Sequence, residues 1–587
     1  VSRVFINAYA SHSCVGADSE LMQSIYAKKS GVKSDGEYIS SKSVAIGKFN
    51  DIEFFDALSR ATSQLLSSSS LKSFADTLLI VGSSVGGMAT SEKVYFATGS
   101  YEQIDPALHT ISVISDMLDR EFKFKQSRSV STACTSSANA LILAHRLIKL
   151  GVYRSIVVVG ADALCHTTVC GFDSLGVLSS SACRPFDIER DGMNVAEAVA
   201  AILLQDEMTD ESIELVGCGA SSDAFHITNP DPEAKGAIAA MCAALDEAGV
   251  DASMVDYINA HGTGTEANDS VEALAISKVF DKTSTYVSST KAITGHTLGA
   301  AGALEAIVSC EVLKQQLIPP QSALKTQQNG DISLLKEPLS SCVKYVLSNS
   351  FAFGGNNTSL LFALPQQKSA KVAASKCKNF KIVSSAQIDS PLKIDSLNEK
   401  ELVPKMMLRR RLTRLARIAI YLADQCSFRD GLIVFGSAYG ELKATADITT
   451  AIFNKEPISP TSFQNSVYNT AASYLSLLHN NQNEIITISS GLKTSQDLLK
   501  TAALQATYHN RAVLIICAEA LNIPKIDELD CKIDLLEQGV AILIEPTDDE
   551  AEVCNKKGSP HSPSSSLYDM LDIISNKKDG SIISLEL

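Results

Sequence analysis

The sequence predicts an α/β fold: a full-size domain followed by a second α/β domain of half its size. Three observations predict it. Short β-branched runs alternate with longer stretches of helical period. The 587-residue chain is 45% hydrophobic and 20% charged, an ordinary globular balance. A segment late in the chain also echoes one near its start: LIVFGSAYGELKATADI follows the pattern of LLIVGSSVGGMATSEKV.

Taken in order, VFINAY, TLLIVGSS, SIVVVGAD, AAILLQD, DYINAHG, TYVSST, KYVLSNS and SLLFAL read as buried strands. Helix-like stretches at 135–150, 235–248, 270–280 and 297–315 separate them, so the sheets are expected to be covered on their faces. Residues 1–365 form the first domain, its halves meeting near residue 210. The polar, poorly periodic run at 366–377 reads as a linker. LIVFGS, EIITISS, AVLIICAE and AILIEP are the strands of the second domain, 378–546. Residues 547–587 read as a polar tail, opening on the low-complexity NKKGSPHSPSSS; its last twenty residues form either a short appended element or a mobile end.

The formal charge of -15 argues against nucleic acid or an anionic membrane as the main partner. Fourteen cysteines are scattered without a Cys-x-x-Cys pair, so no metal site is expected and a reducing compartment is. The first residues lack the charged-then-apolar pattern of a secretory signal, and no apolar run reaches membrane-spanning length. A cytoplasmic location is the expectation.

SRSVSTACTSSANALILAHRLIKLG reads as strand, tight turn and helix, with Cys134 in the turn. Backbone N–H groups and the positive helix end would face the sulfur and lower its pKa. Alone, a cysteine of this kind reads as inert core. Its company changes that reading. His261 follows a strand in a Gly/Thr-rich turn, and Lys291 and His296 lie between another strand and a helix; α/β sheets gather ligands at such carboxyl ends. Two neutral imidazoles would stabilise an enolate by donating N–H groups, without the cost of two cations. KYVLSNSFAFGGNNTSLLFAL is a strand, a Gly-rich turn and a strand, either a plain hairpin or the source of an oxyanion N–H, with Phe353 beside the acyl entrance.

STACTSSANA, CRPFDIERDGMNVAEA, SSDAFHITNPDP, NAHGTGTEANDS, SSTKAITGHTLGAAGALE and NSFAFGGNN occur in that order. Together they resemble the elongating β-ketoacyl-acyl-carrier-protein synthases of the thiolase superfamily. That resemblance implies a thiolase fold, two α/β halves in five αβαβα layers, usually dimeric. It implies decarboxylative condensation of an acyl thioester with a malonyl-type extender, through an acyl group on Cys134. His261 and His296 become the decarboxylation pair, and Lys291 with Glu305 the network behind them. The N–H groups of Cys134 and Phe353 become the oxyanion hole, Phe353 the gate, and Thr263 and Thr265 contacts to phosphopantetheine. The cofactor arm arrives on an acyl carrier protein, and no other cofactor is implied. A thiolase would need a cysteine in the final Gly-rich loop, which has Phe351 and Phe353 instead. The rival from another class is a non-catalytic carrier-protein-binding scaffold or length-controlling partner.

In the second segment GSAYGELKAT, PISPTSFQNSVYNTAASY and LIICAEAL resemble the chain-length-factor domain that partners condensing enzymes of aryl-polyene-type pathways. Ser490 and Gly491 are expected at the nucleophile position, and no His-containing half follows. This truncated domain is expected to pack on a synthase domain, in cis or across a dimer, as a pseudo-heterodimer. PKMMLRRRLTRLARIAIYLADQC reads as one amphipathic helix placing Arg409, Arg410, Arg411 and Arg414 on a solvated face, either bland or a carrier-protein dock. Fatty-acid elongation and polyene assembly share this catalytic site, and starter and chain length are not encoded legibly.

Overall fold

Among the described residues most strands fall into three mixed groups, linked at their edges, beside two two-stranded sheets. In a computed structural model of the chain, the described residues are 2–39, 43–101, 103–281, 284–328, 331–366, 377–388, 398–521, 537–551 and 566–587. The first sheet runs Gln126–Val130, Leu78–Gly82, Ser155–Asp162, Ala198–Gln205, Phe5–Ser13. Its first three strands are parallel and the others antiparallel. The second sheet runs Ser333–Leu334, Tyr286–Ser288, Tyr257–Asn259, Tyr345–Phe351, Asn356–Ala363, Ile213–Ser222. Helices Ser136–Lys149 and Ala301–Gln315 lie between the two sheets and touch both. Both helices are buried almost throughout, as their place between two sheets requires, and the polar side chains they carry there are buried too. This is the thiolase-like layering.

The third sheet repeats the strand order of the first: Ile485–Ile488, Leu432–Gly436, Val513–Ala520, Glu537–Pro546, Cys377–Ile388. The predicted linker lies at 367–376 outside the described residues, and Cys377 already opens a strand. The expected helices appear at Ser136–Lys149, Lys235–Ala248, Glu266–Val279 and Ala301–Gln315.

One expectation needs correction, and one open alternative is decided. The arginine-rich segment is not one helix: a short helix, Met406–Arg409, ends before a new one, Arg414–Gln425. Thr413 stops continuity because its hydroxyl accepts the Ala416 N–H at 3.0 Å, a cap that requires extended backbone at Thr413. The end of the polar tail is an ordered, half-apolar element. Helix Tyr568–Asn576 and strand Ile582–Glu586 pack on the buried helix Thr494–His509, and Leu567, Met570, Leu571 and Leu587 are at most 1% exposed. Most of the low-complexity run, 552–565, lies outside the described residues. In the first domain the matching helix, Ser136–Lys149, is covered by a second sheet; in the second domain this terminal pair covers the helix.

The two domains join edge to edge. Strand Gln126–Val130 pairs antiparallel with Ile485–Ile488 at Val130–Ile488. Ser131 N donates to Thr487 O and Ser489 N to Ser129 O, each at 2.9 Å, so the junction is nearly symmetric. The truncated domain therefore docks in cis. Behind the junction, Arg146 places both guanidinium ends on Glu484, at 2.7 and 2.9 Å, and reaches Gln505 at 2.6 Å. The Tyr508 ring lies 4.9 Å from that guanidinium.

Two tests follow from this packing. Glu484→Ala leaves Arg146 buried without its carboxylate and should cost about 3–5 kcal/mol, read as a lower urea midpoint. Burial raises the Glu484 carboxyl, but the Arg146 charge and hydrogen bonds from His509 and Arg146 hold it well below the carboxylate range. Its contribution is thus complete above the unfolded carboxyl pKa of about 4.3 and is lost as pH falls toward the folded value. A urea midpoint insensitive to acid in that window would contradict the assignment. Leu571→Ala should cost about 2–5 kcal/mol and hasten proteolysis within the second domain; unchanged protease resistance would mean the terminal pair is not a true cover.

Candidate active site

Cys134 sits where strand Gln126–Val130 turns into helix Ser136–Lys149, in a short 3-10 turn, Ala133–Thr135. Ala133 holds φ 52°, a left-handed conformation that a Cβ-bearing residue adopts at a cost. The turn is fixed from within: Thr132 N donates to Ser136 Oγ at 2.9 Å, and that hydroxyl donates to Ala133 O at 2.6 Å. Asn139 Nδ2 ties the Thr132 hydroxyl at 2.9 Å. The backbone N–H groups of Cys134 and Phe353 favour negative charge on the sulfur.

That arrangement corrects one expectation. Burial pushes the Cys134 thiol up to about 12, helped by Asp162, although Lys291 and the two N–H groups oppose it. The resting nucleophile is a thiol. The helix end and the N–H groups stabilise negative charge that develops on sulfur, not a standing thiolate.

His261 and His296 meet edge to face, their ring centroids 5.2 Å apart. Burial, and then the Lys291 charge, hold both imidazoles well below the ordinary histidine range, with His296 also acting on His261. Both are neutral at physiological pH. His296 Nδ1 accepts the Leu298 N–H at 3.1 Å, which leaves the proton on Nε2 and makes that nitrogen a donor. Lys291 is 1% exposed and pairs with Glu305, as the sequence reading expected.

The loop around His261 is held by two carboxylates that sequence reasoning missed. Glu272 accepts the N–H groups of His261 at 2.8 Å and Gly262 at 2.7 Å. Asp269 accepts those of Thr263 at 2.9 Å and Phe186 at 2.8 Å. Both project from helix Glu266–Val279, just after the Gly/Thr run, and acidic residues opening a helix behind such a loop were the available signal. Asp162 does the same for 83–85, accepting Ser83 Oγ at 2.6 Å and Val85 N at 2.9 Å, and it also accepts Gly299 N at 2.6 Å.

A channel of about 370 Å³ brings together Cys134, His261, His296, Thr263, Thr265 and Phe353. The two threonine hydroxyls lie 2.9 Å apart. A second cavity, of about 70 Å³, shares Cys134 and Phe353 with the channel and is closed by Phe463 and Tyr468 of the second domain. The Phe353 ring leans on Phe172 at 5.6 Å, and Phe172 meets Phe463 edge-on at 4.8 Å.

The arginines are divided. Arg414 is spent on Glu537, at 2.8 and 2.9 Å, and Arg409 donates to Val403 O at 2.7 Å. Arg410 and Arg411 are exposed. Arg411 lies 3.3 Å from His226, whose other nitrogen accepts the N–H of the channel residue Thr228 at 3.1 Å, so Arg411 stands at the channel mouth.

In the second domain the turn Gly491–Lys493 copies Ala133–Thr135. Gly491 has φ 57°, Ser490 N donates to Thr494 Oγ1 at 3.1 Å, and that hydroxyl donates to Gly491 O at 2.6 Å. The nucleophile position thus falls on Leu492, 52% exposed, one residue beyond the expected Ser490 and Gly491. Among the described residues one His/Cys/Glu cluster, His145, Cys218 and Glu247, approaches metal-ligand spacing, but Glu247 is already engaged by Lys149 at 2.7 Å and by Tyr508.

Comparison with known proteins agrees with this geometry. A family model of the β-ketoacyl synthase N-terminal domain matches residues 56–209, one of its C-terminal domain matches 213–325, and a second N-terminal-domain model matches 386–565. The 3-oxoacyl-[acyl-carrier-protein] synthase 2 of Coxiella burnetii is 36% identical over 306 residues, covering 48% of this chain and 74% of that protein. The protein of that name from Staphylococcus aureus is 33% identical over 310 residues, 48% of this chain and 75% of its own. Among solved structures, the ketosynthase ApeO in complex with its chain length factor ApeC from Xenorhabdus doucetiae is 32% identical with a TM-score of 0.56, over 62% of this chain and 98% of that one. The PfaC keto synthase–chain length factor, at 15% identity, shares the fold over 93% of this chain and 78% of its own, with a TM-score of 0.75. This chain belongs to the β-ketoacyl synthase family, with a synthase-2-like unit and a chain-length-factor-like unit in one polypeptide.

Proposed function

We propose that residues 1–365 are a 3-oxoacyl-[acyl-carrier-protein] synthase and that residues 378–546 are its built-in, non-catalytic partner. One observation carries the reading: a buried cysteine opens on the same channel as Phe353 and two histidines whose rings meet edge to face. Acyl transfer begins as Cys134 sulfur attacks the carbonyl of an acyl thioester carried by phosphopantetheine. The oxyanion forms between the N–H groups of Cys134 and Phe353. Collapse expels the carrier's thiol, which leaves with the proton lost from Cys134. A malonyl thioester then occupies the channel, its arm beside Thr263 and Thr265. Its carboxylate departs as CO₂, and the enolate oxygen is met by N–H donors of His261 and His296. The enolate carbon attacks the acyl-Cys134 carbonyl, the new oxyanion returns to the same two N–H groups, and collapse releases the Cys134 sulfur. One proton is taken up overall, restoring the thiol.

Lys291 and Glu305 act behind the pair. Burial, and then the buried ammonium, keep both imidazoles neutral, and the carboxylate balances the ammonium. The acyl chain would rest in the cavity that Phe463 and Tyr468 close, so the second domain sets how much chain fits; the product is a fatty acyl or polyene-type polyketide chain. Arg410 and Arg411, exposed beside the channel mouth, suit the acidic surface of a carrier protein, whereas Arg409 and Arg414 serve the fold.

Mass spectrometry after incubation with an acyl-carrier-protein thioester should find the acyl mass on the Cys134 peptide and none in Cys134→Ala. No acylation of folded protein by several starters would return the scaffold reading. Replacing Arg410 and Arg411 together by glutamate should weaken carrier-protein binding on the order of tenfold at low salt, the difference shrinking as salt rises. An unchanged affinity and salt response would remove these residues from the dock.

A further inference from the structure

The Phe353 turn is held from two sides. Gly354 N donates to Ile227 O at 2.6 Å and Asp223 N to Gly355 O at 2.8 Å, both within the first domain. The Phe353 carbonyl is held by the other domain: Asn469 Nδ2 donates to it at 2.9 Å. Asn469 is fully buried at the start of helix Thr470–His479, and its Oδ1 has no hydrogen-bond partner among the described residues. An amide that leaves one acceptor unpaired to place its donor on this carbonyl needs a reason beyond filling space. The approach is possible only because residue 354 is glycine: a Cβ there would lie 2.3 Å from Ser473 Oγ and 2.4 Å from Asn469 Nδ2, and its φ of 90° excludes other residues at little cost. Gly171 makes the same allowance for Phe463, whose ring occupies the place of a Cβ at 2.1 Å and carries the aromatic contact on through Phe172 to Phe353.

We infer that Asn469, in the domain with no nucleophile, is a positioning residue for the synthase reaction: by holding the Phe353 carbonyl it aims the Phe353 N–H at the oxyanion. Carbonyl and N–H flank one Cα, so pinning one restricts the rotation that would turn the other away from sulfur. The truncated domain then does more than wall the acyl cavity. It completes the catalytic geometry of its neighbour. The inference rests on the synthase reading and names a regulator of that same site.

Asn469→Ala and the isosteric Asn469→Asp test it in the full chain, with acetyl and hexanoyl thioesters of N-acetylcysteamine as acyl donors and iodoacetamide as a probe of the Cys134 sulfur. Alkylation forms no oxyanion, so it reads the accessibility and ionisation of the sulfur without the oxyanion step. The expected result for Asn469→Ala is an acylation kcat lower by on the order of 10- to 100-fold with KM little changed, and alkylation within about twofold of the unaltered protein. Asn469→Asp should behave alike near pH 8. It should recover relative to the unaltered protein toward about pH 6, because a buried carboxyl takes up its proton there and donates again. A packing role alone predicts no such pH-dependent rescue. Acylation at full rate in Asn469→Ala, or acylation and alkylation falling together in both variants, overturns the inference. Failure of the unaltered protein to acylate overturns the synthase reading and this inference with it, and is distinguishable because it needs no substitution.

Discussion

The antiparallel contact between Gln126–Val130 and Ile485–Ile488 is the constraint on which the rest of the molecule depends. A sheet edge is a row of unpaired N–H and C=O groups, and leaving it open invites association with another chain. Here each domain covers the other's edge, with Ser131 and Ser489 making reciprocal bonds. The two nucleophile-type turns begin within three residues of that junction, so fixing it also fixes Cys134 relative to the second domain. Phe463, Tyr468 and Asn469 reach the site only because the seam is held in register.

The two domains use one device at the same place in the sheet. In the first, Asp162 collects the donors of the loop after Leu78–Gly82, and Gly299 from the second half adds one more. In the second, Glu519 collects Ser437 Oγ and Ala438 N after Leu432–Gly436. There the extra donor comes from the terminal segment, Ser566 donating at 2.9 Å. The same segment covers the apolar back of helix Thr494–His509. A buried carboxylate needs its lone pairs met and a buried helix needs its faces covered. Twenty-two described residues supply enough of both for a half-size domain to persist.

Burial sets the electrostatics of the site. Desolvation penalises whichever form is charged, so it raises the thiol and lowers the imidazoles by one cause acting on groups of opposite sign. The chemistry needs that result: donors that are neutral before the enolate forms, and a sulfur that bears charge only while oxyanion and leaving group are in place. The buried Lys291 cation helps keep the imidazoles neutral but pulls the thiol toward its charged form, so burial decides the resting state of the sulfur.

Much of this was legible in the sequence. Most strands, four of the long helices of the first domain, the Cys134 turn and the histidine pair follow from local pattern and motif, because periodicity and turn chemistry are short-range, while the Lys291–Glu305 partnership came from the family resemblance. The internal echo foretold the repeated strand order. What the sequence misplaced depended on contacts far along the chain. Cys134 was expected as a thiolate because the helix end is local, whereas the desolvation that outweighs it comes from the surrounding fold. The arginine segment kept its apolar spacing across a break that Thr413 imposes, and Arg414 was claimed by Glu537, 123 residues away. The polar composition of 547–587 hid a helix and strand whose apolar faces mean little until Thr494–His509 is there to receive them. Asn469 looked like any loop asparagine, since nothing near it in sequence says that a carbonyl 116 residues earlier will be waiting. Sequence by itself determined which chemistry this chain is equipped for. Tertiary structure alone decided that the second domain docks in cis and lays its side chains against the site, because edge pairing and burial are properties of surfaces brought together, not of any one segment.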